Sequence, residues 1–173
     1  MPENETTTTT ATVKKLKRSA LIHYLDQTPR ANTNSWFLIG KDVEDMSIEL
    51  NPDTETKKNI LDETTVQDNG YEPSADVDTY YADPTDGDFY TWLKDIAMNR
   101  KTGDDCKTQI LEVLVDKTAQ PFDAWVEDVI VKPQSYGGPQ GGVAIPYNIA
   151  FCGNRQQGTV TIENKVPTFT AAT

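Results

Sequence analysis

At 173 residues the chain is long enough to bury most of the surface that its unfolded form exposes, so a single domain can hold a core without staples. Its 27 acidic against 16 basic residues give a net charge of −11, which argues against the basic footprint a nucleic-acid binder needs. Cys106 and Cys152 lie far apart and form no C-x-x-C pair, which speaks against a disulfide framework or a cysteine-based metal site.

The first residues, "MPENETTTTTATVKKLKRS", hold five consecutive threonines and a basic cluster at Lys14, Lys15, Lys17 and Arg18. Almost no apolar content precedes Leu16, so residues 1–18 read as a flexible N-terminal arm, ordered if at all against a neighbour. No apolar segment there resembles a secretory signal, and no run approaches the roughly 18 residues of a membrane helix. Cytoplasmic synthesis without membrane insertion is expected, and the glycosylation pattern Asn4-Glu5-Thr6 reads as chance.

Residues 19–168 read as one domain, with 169–173 a short tail. "SALIHYLD" (Ser19 to Asp26) and "SWFLIG" (Ser35 to Gly40) are short apolar runs separated by turn residues, a strand signature. In "VEDMSIEL" (Val43 to Leu50), Met46, Ile48 and Leu50 alternate with Asp45, Ser47 and Glu49, predicting a half-buried strand with an acidic, wet face. Residues 51–70 carry one apolar pair, Ile60 and Leu61, and read as a long loop that little would hold down in a monomer.

"DPTDGD" has Asp83, Asp86 and Asp88, but the donor and glycine spacing of a calcium loop fails. The stretch serves better as a helix start. Phe89, Trp92, Leu93, Ile96, Ala97 and Arg100 follow the rhythm of one helical face, predicting a helix over about 88–101. Asp86 or Asp88 would cap it, and Gly103 would follow its end.

Four strand patterns come next: Gln109 to Asp116, Phe122 to Gln134, Gly141 to Gly153 and Gly158 to Asn164. In the third, large residues from Val143 to Phe151 alternate with small ones from Ala144 to Cys152, and Pro146 demands a bulge or an edge. "GNRQQG" has the length of a hairpin loop. Gly137, Gly138, Gly141 and Gly142 lie between two strands with no helix after them, so they turn a hairpin and cradle no phosphate. His23 is the sole histidine and sits in "LIHYL"; no nucleophile elbow or zinc ligand set accompanies it. No catalytic, cofactor or metal residue is expected, and the chain does not read as an enzyme.

The layout "WFLIGKDVEDMSIELNPDTETKKNILDETT…GYEPSADV", then "GDFYTWLKDIAM", then "AWVEDVIVKPQSYGGPQGGVAIPYNIAFCGNRQQGTVTI" resembles the phage tail tube, or major tail, proteins, including tubes of phage-like contractile particles. The resemblance spans roughly Ser19 to Thr168 and implies a mainly β fold, an antiparallel sandwich or half-barrel with one flanking helix. It implies homo-hexameric rings that stack into a tube around a channel for the tape-measure protein and DNA, with a possible sheath outside and no membrane. Assembly would take place in the bacterial host cytoplasm, and the product would be a virion tail or phage-like particle. Six chains would carry about −66 in all, six times the −11 of one, letting DNA slide without sticking. The expected lumen residues are Asp45, Ser47, Glu49, Ala144, Asn148 and Ala150. The expected ring-to-ring loop comprises Asn51, Pro52, Thr54, Thr56, Ile60, Leu61, Glu63 and Thr64.

Three other readings predict different behaviour. A monomeric β-sandwich binding module, for carbohydrate for example, would use Tyr80, Tyr81 and Tyr136. An acidic hydrolase would use aspartates near "DVDTYYADPTDGD". A tail terminator or hub subunit on a related fold would make one ring and no tube.

Overall fold

The computed structural model describes residues 15–172; Asn4 and most of the expected arm lie outside the described residues. The pattern beginning at Phe122 forms β8 (Phe122–Pro133), a 12-residue strand that organises the rest. Its buried apolar positions are Phe122, Ala124 and Val126 at first, then Val129 and Val131. That change of parity means that β8 buries one face over its first half and the opposite face over its second. One strand therefore serves two cores.

Along one edge β8 pairs with β7 (Lys107–Leu114), which pairs with β1 (Leu21–Asp26) and then β2 (Trp36–Ile39). Along its other edge β8 pairs over its second half with β9 (Tyr147–Phe151), and over its first half with β10 (Gln156–Glu163). From β9 the sheet continues through β6 (Ser74–Val77) to the two-residue β3 (Ile48–Glu49). From β10 it continues to β11 (Val166–Ala171). Every pairing is antiparallel, and the nine strands make one curled sheet, the half-barrel form of the expected fold.

The helix α1 (Asp88–Asn99) covers one face of this sheet. Phe89, Leu93, Ile96 and Ala97 are its buried stripe, as the periodicity predicts. Phe89 stacks on Phe37 with ring centroids 3.9 Å apart and meets Tyr80 edge-on at 5.2 Å. Leu25, Ile110, Val129, Val131 and Ile149 complete this core from the sheet. Each fully buried side chain of this size contributes about 1.5–3 kcal/mol. The second core, on the other face, gathers Tyr24, Leu111, Val113, Phe122, Ala124 and Val160, with Phe169 packed against them.

Several expected features take a different form. Residues 51–70 are a hairpin of β4 (Pro52–Lys58) and β5 (Thr64–Tyr71), not a loop. Polar threonines and lysines hide the strand signal, because both faces of the ribbon meet solvent and no apolar alternation is required. The strand expected over 43–50 contracts to Ile48 and Glu49, since only these two residues have a partner, β6. Met46 is buried as expected, but Leu50 is 56% exposed. "GNRQQG" is not a hairpin loop: β9 and β10 lie end to end along β8, and Cys152–Arg155 form a kink between them. There the Asp128 N–H donates to the Gly153 carbonyl, while the Asp128 carbonyl accepts from Cys152 N–H.

The helix caps also differ. Gly87, at φ 64°, is the N-cap, and Arg100, in the left-handed region, ends the helix at Asn99, two residues short of the expectation. Asp83 instead caps a short 3-10 turn, Pro84–Asp86, by accepting from Thr85 N–H. β11 extends to Ala171, so part of the expected tail is paired with β10. The glycine-rich turn is a hairpin: Gly137 and Ala144 exchange both backbone hydrogen bonds, and β9 begins just after Pro146.

Candidate assembly surfaces and the cleft at the hairpin root

The β4–β5 hairpin is paired with itself and with no strand of the main sheet. At about 3.4 Å per residue, seven residues of β4 carry its tip roughly 24 Å outward. Register divides its two faces. Pro52 opposes Tyr71, Thr56 opposes Val66 and Lys58 opposes Thr64 on one face; Glu55 opposes Gln67 and Lys57 opposes Thr65 on the other. Tyr71 is 63% exposed and Val66 67%, so the first face carries two uncovered apolar side chains among polar ones.

At the tip, Asn59 Oδ1 accepts from the N–H groups of Leu61 and Glu63, and Asn59 Nδ2 donates to Glu63 Oε2. This fixes the turn and leaves Ile60 fully exposed and Leu61 72% exposed. At the root, Asn51 takes φ 44°, and its Nδ2 donates to the Glu72 carbonyl and to Ser74 Oγ. The eight residues expected at a ring-to-ring contact thus divide into a root (Asn51), paired strand positions (Pro52, Thr54, Thr56, Thr64) and a tip (Ile60, Leu61, Glu63), all of them exposed.

Cross-strand register brings three of the expected lumen residues onto one sheet face. Glu49 opposes Ser74, Ser74 opposes Ala150, and Asp76 opposes Asn148. The Asn148 amide donates to Asp76 Oδ1 at 2.8 Å. Asp45 and Ser47 precede β3 and join Glu49, Asp76 and Asp78 around a shallow depression. Ala144 is not part of this group; it bridges to Gly137 and Tyr81 in the glycine turn. The reverse face of the same strands, through Ile48, Ala75 and Ile149, packs into the core with α1. Among the described residues, no strand or helix covers this acidic face.

Between the sheet and the hairpin root lies a cleft of about 1500 Å³. Leu21, Met46, Ile48 and Phe151 give it an apolar wall, and Leu50 and Tyr71 form part of its rim. Inside it Glu112 and Glu127 are buried, 8% and 6% exposed. Arg155, held at the Cys152–Arg155 kink, donates through Nη1 to Glu112 Oε1 and to Glu127 Oε2, each at 2.8 Å. These carboxylates raise the Arg155 pKa, Glu112 most of all. His23 stands opposite Glu112 in the ladder, is 3% exposed, and its Nε2 has no hydrogen-bond partner. Burial, and then the nearby Arg18 charge, lower its pKa to about 4. Sequence reasoning placed His23 in a strand but missed the cluster, because Glu112, Glu127 and Arg155 are brought together only by the pairing of β1, β7 and β8 and by the kink.

The aspartates of "DPTDGD" do structural work. Lys41 pairs with Asp83 and lies 3.7 Å from Asp86, and the Lys41 hydrogen bond holds the Asp83 carboxyl well below the usual range. Asp86 accepts from the Tyr80 hydroxyl at 3.0 Å. Tyr80 is 5% exposed, so it cannot join Tyr81 and Tyr136 in one open aromatic platform. Among the described residues, no group of three His, Cys, Asp or Glu side chains is placed to hold a metal ion, and no helix is long and apolar enough to cross a membrane.

No family model matches the chain, and no curated protein matches it significantly. Solved structures do resemble it. The tube-terminating cap of the anti-feeding prophage superposes with a TM-score of 0.53 at 13% identity, covering 86% of this chain and 94% of the cap protein. The sheath/tube terminator of an extracellular contractile injection system, PVC, in its extended state, gives 0.50 at 10% identity, covering 83% and 96%. The SPP1 tail tube protein gives 0.55 at 15% identity, covering 83% and 78%. The chain has the fold that these tail tube and tube-terminator proteins share.

Proposed function

We propose that this chain is a structural subunit of a phage or phage-like tail tube. Six copies form a ring, rings stack through the β4–β5 hairpin, and the β3–β6–β9 face with Asp45, Ser47, Glu49, Asn148 and Ala150 borders an acidic channel. The tape-measure protein and DNA pass through that channel, repelled by the carboxylates instead of bound. A sheath fits around the tube, and no catalysis or cofactor enters the reading. Assembly in a bacterial cytoplasm is consistent with it.

The observation that carries this reading is the hairpin. A two-stranded ribbon is marginal in water on its own, and this one shows solvent on both faces while ending in an exposed Ile-Leu pair. Such an element is completed by a neighbouring surface. Negative-stain electron microscopy of the purified protein across a concentration series tests the reading. Hollow tubes of stacked rings are expected. A monomer at every concentration, with and without tube fragments added as seeds, would overturn it.

A second reading is a terminator, which closes a tube with one ring. It is favoured by coverage: the chain accounts for 94% and 96% of the two terminator proteins but 78% of the tail tube protein. Single rings that never stack, in the same micrographs, would select it.

A further inference from the structure

The cleft at the hairpin root holds groups that the described residues leave unmatched. Glu112 and Glu127 share a single cation, Arg155, so one buried carboxylate is in excess. Arg18, at the rim, spends its guanidinium on the carbonyls of Leu21 and Met46. Beside the carboxylates, His23 Nε2 is the sole buried side-chain nitrogen or oxygen without a partner among the described residues. Both an excess carboxylate and an unpaired ring nitrogen are unfavourable when removed from water, unless a donor reaches them. The chemistry that fits is a primary ammonium carried on an apolar segment, with the ammonium going to the floor and the apolar part to the wall.

The chain offers that combination once on its hairpin. Lys57 and Lys58 immediately precede the tip, and the exposed Ile60 and Leu61 follow within three residues. Their present partners, Glu55 and Gln67 for Lys57 and Asp62 for Lys58, are all exposed. Pairs of that kind contribute little and are given up cheaply.

We propose that the cleft receives the β4–β5 tip of a second copy of this chain. Ile60 and Leu61 cover the wall formed by Leu21, Met46, Ile48 and Phe151, and an ammonium from Lys57 or Lys58 meets Glu127 and His23. The inference rests on the stacking role proposed above and names the surface that accepts the hairpin. Geometry supports a repeating contact. The hairpin's own root forms the rim of its cleft, so donor and acceptor surfaces of one copy lie at opposite ends of the same ribbon. Two different surfaces meeting head to tail make a heterologous contact, which repeats as an open stack when its rotation does not close.

Cys152 makes the contact testable, because it is an exposed thiol lining the cleft, whereas Cys106 is fully buried. The full chain carrying Leu61→Cys is treated with a short bismaleimide at assembling concentration. A ladder of covalent oligomers is expected, and it should vanish when Cys152→Ser is added. Replacing both tip lysines, Lys57→Glu with Lys58→Glu, should lower the cross-linked fraction by at least about tenfold. Tubes in the micrographs with no ladder, or with a ladder that survives Cys152→Ser, would overturn the cleft as acceptor while leaving the stacking role intact. Absence of both tubes and ladder would overturn both.

Discussion

Arg155 reaches from the kink between β9 and β10 to place Nη1 2.8 Å from Glu127 Oε2 in the middle of β8. The same nitrogen lies 2.8 Å from Glu112 on β7, so one guanidinium joins three segments of the sheet. The two carboxylates are almost wholly buried, while the arginine side chain is 42% exposed. Arg155→Met should lower the unfolding free energy by about 3 kcal/mol at neutral pH, because both buried carboxylates lose their counter-ion. Adding Glu127→Gln should restore part of the loss. Urea denaturation of the two variants measures this, and an Arg155→Met midpoint equal to that of the original chain would refute it.

Gly158 lies under the ring of Phe169, where β10 pairs with the end of β11. A methyl group at Gly158 would stand 2.7 Å from two ring carbons of Phe169 and closer still to the Thr170 carbonyl. Gly158→Ala should therefore destabilise the second core by about 3 kcal/mol through overpacking. Shortening Phe169 to Leu should rescue little of it, because the carbonyl is backbone and cannot step aside. A double-mutant cycle in urea gives the coupling, and full rescue by the shorter side chain would show that the ring alone is the obstacle.

His23 gives the fold a dependence on acid. Its pKa falls from 6.5 when unfolded to about 4 in the folded chain. Between those values the unfolded chain binds a proton that the folded chain refuses, so stability rises with pH in that window. Its contribution is intact above pH 6.5 and is lost as pH falls to about 4, a difference of about 3 kcal/mol. The charged groups facing His23 are Glu112 across the ladder, Glu127 and Arg155 in the same cleft, and Arg18 at its rim. The comparison that isolates the imidazole is with His23→Leu. Denaturant midpoints from pH 7 to pH 4 should fall more steeply for the original chain than for the variant; parallel curves would refute the assignment.

The hairpin tip should matter to assembly and not to folding. Ile60→Asp with Leu61→Asp changes two side chains that touch solvent, so the unfolding free energy should stay within about 0.5 kcal/mol of the original. Tube formation should be abolished. Circular dichroism melts and sedimentation on the same samples separate the two effects. Tubes formed by the charged tip would remove the hairpin from the stacking contact.

The sequence by itself determined the parts whose burial repeats along the chain. The α1 stripe, the core face of β9, the mainly β character and the glycine hairpin were legible because a helix or strand with one buried face must show its period. Glu49, Asn148 and Ala150 were legible only as the small or polar alternates to core positions; the pairing of β3, β6 and β9 put them on one face. Tertiary structure alone decided the remainder. The 51–70 hairpin has no buried face, so its strands leave no pattern to read. Leu50 follows the period of Met46 and Ile48, but pairing ends at Glu49, and register depends on where a partner strand stops. Arg155, Glu112, Glu127 and His23 are 132 positions apart at their extremes (23 to 155) and meet only through strand pairing. A contact of that kind has no local signature, because it is selected by which edges of a curled sheet come together.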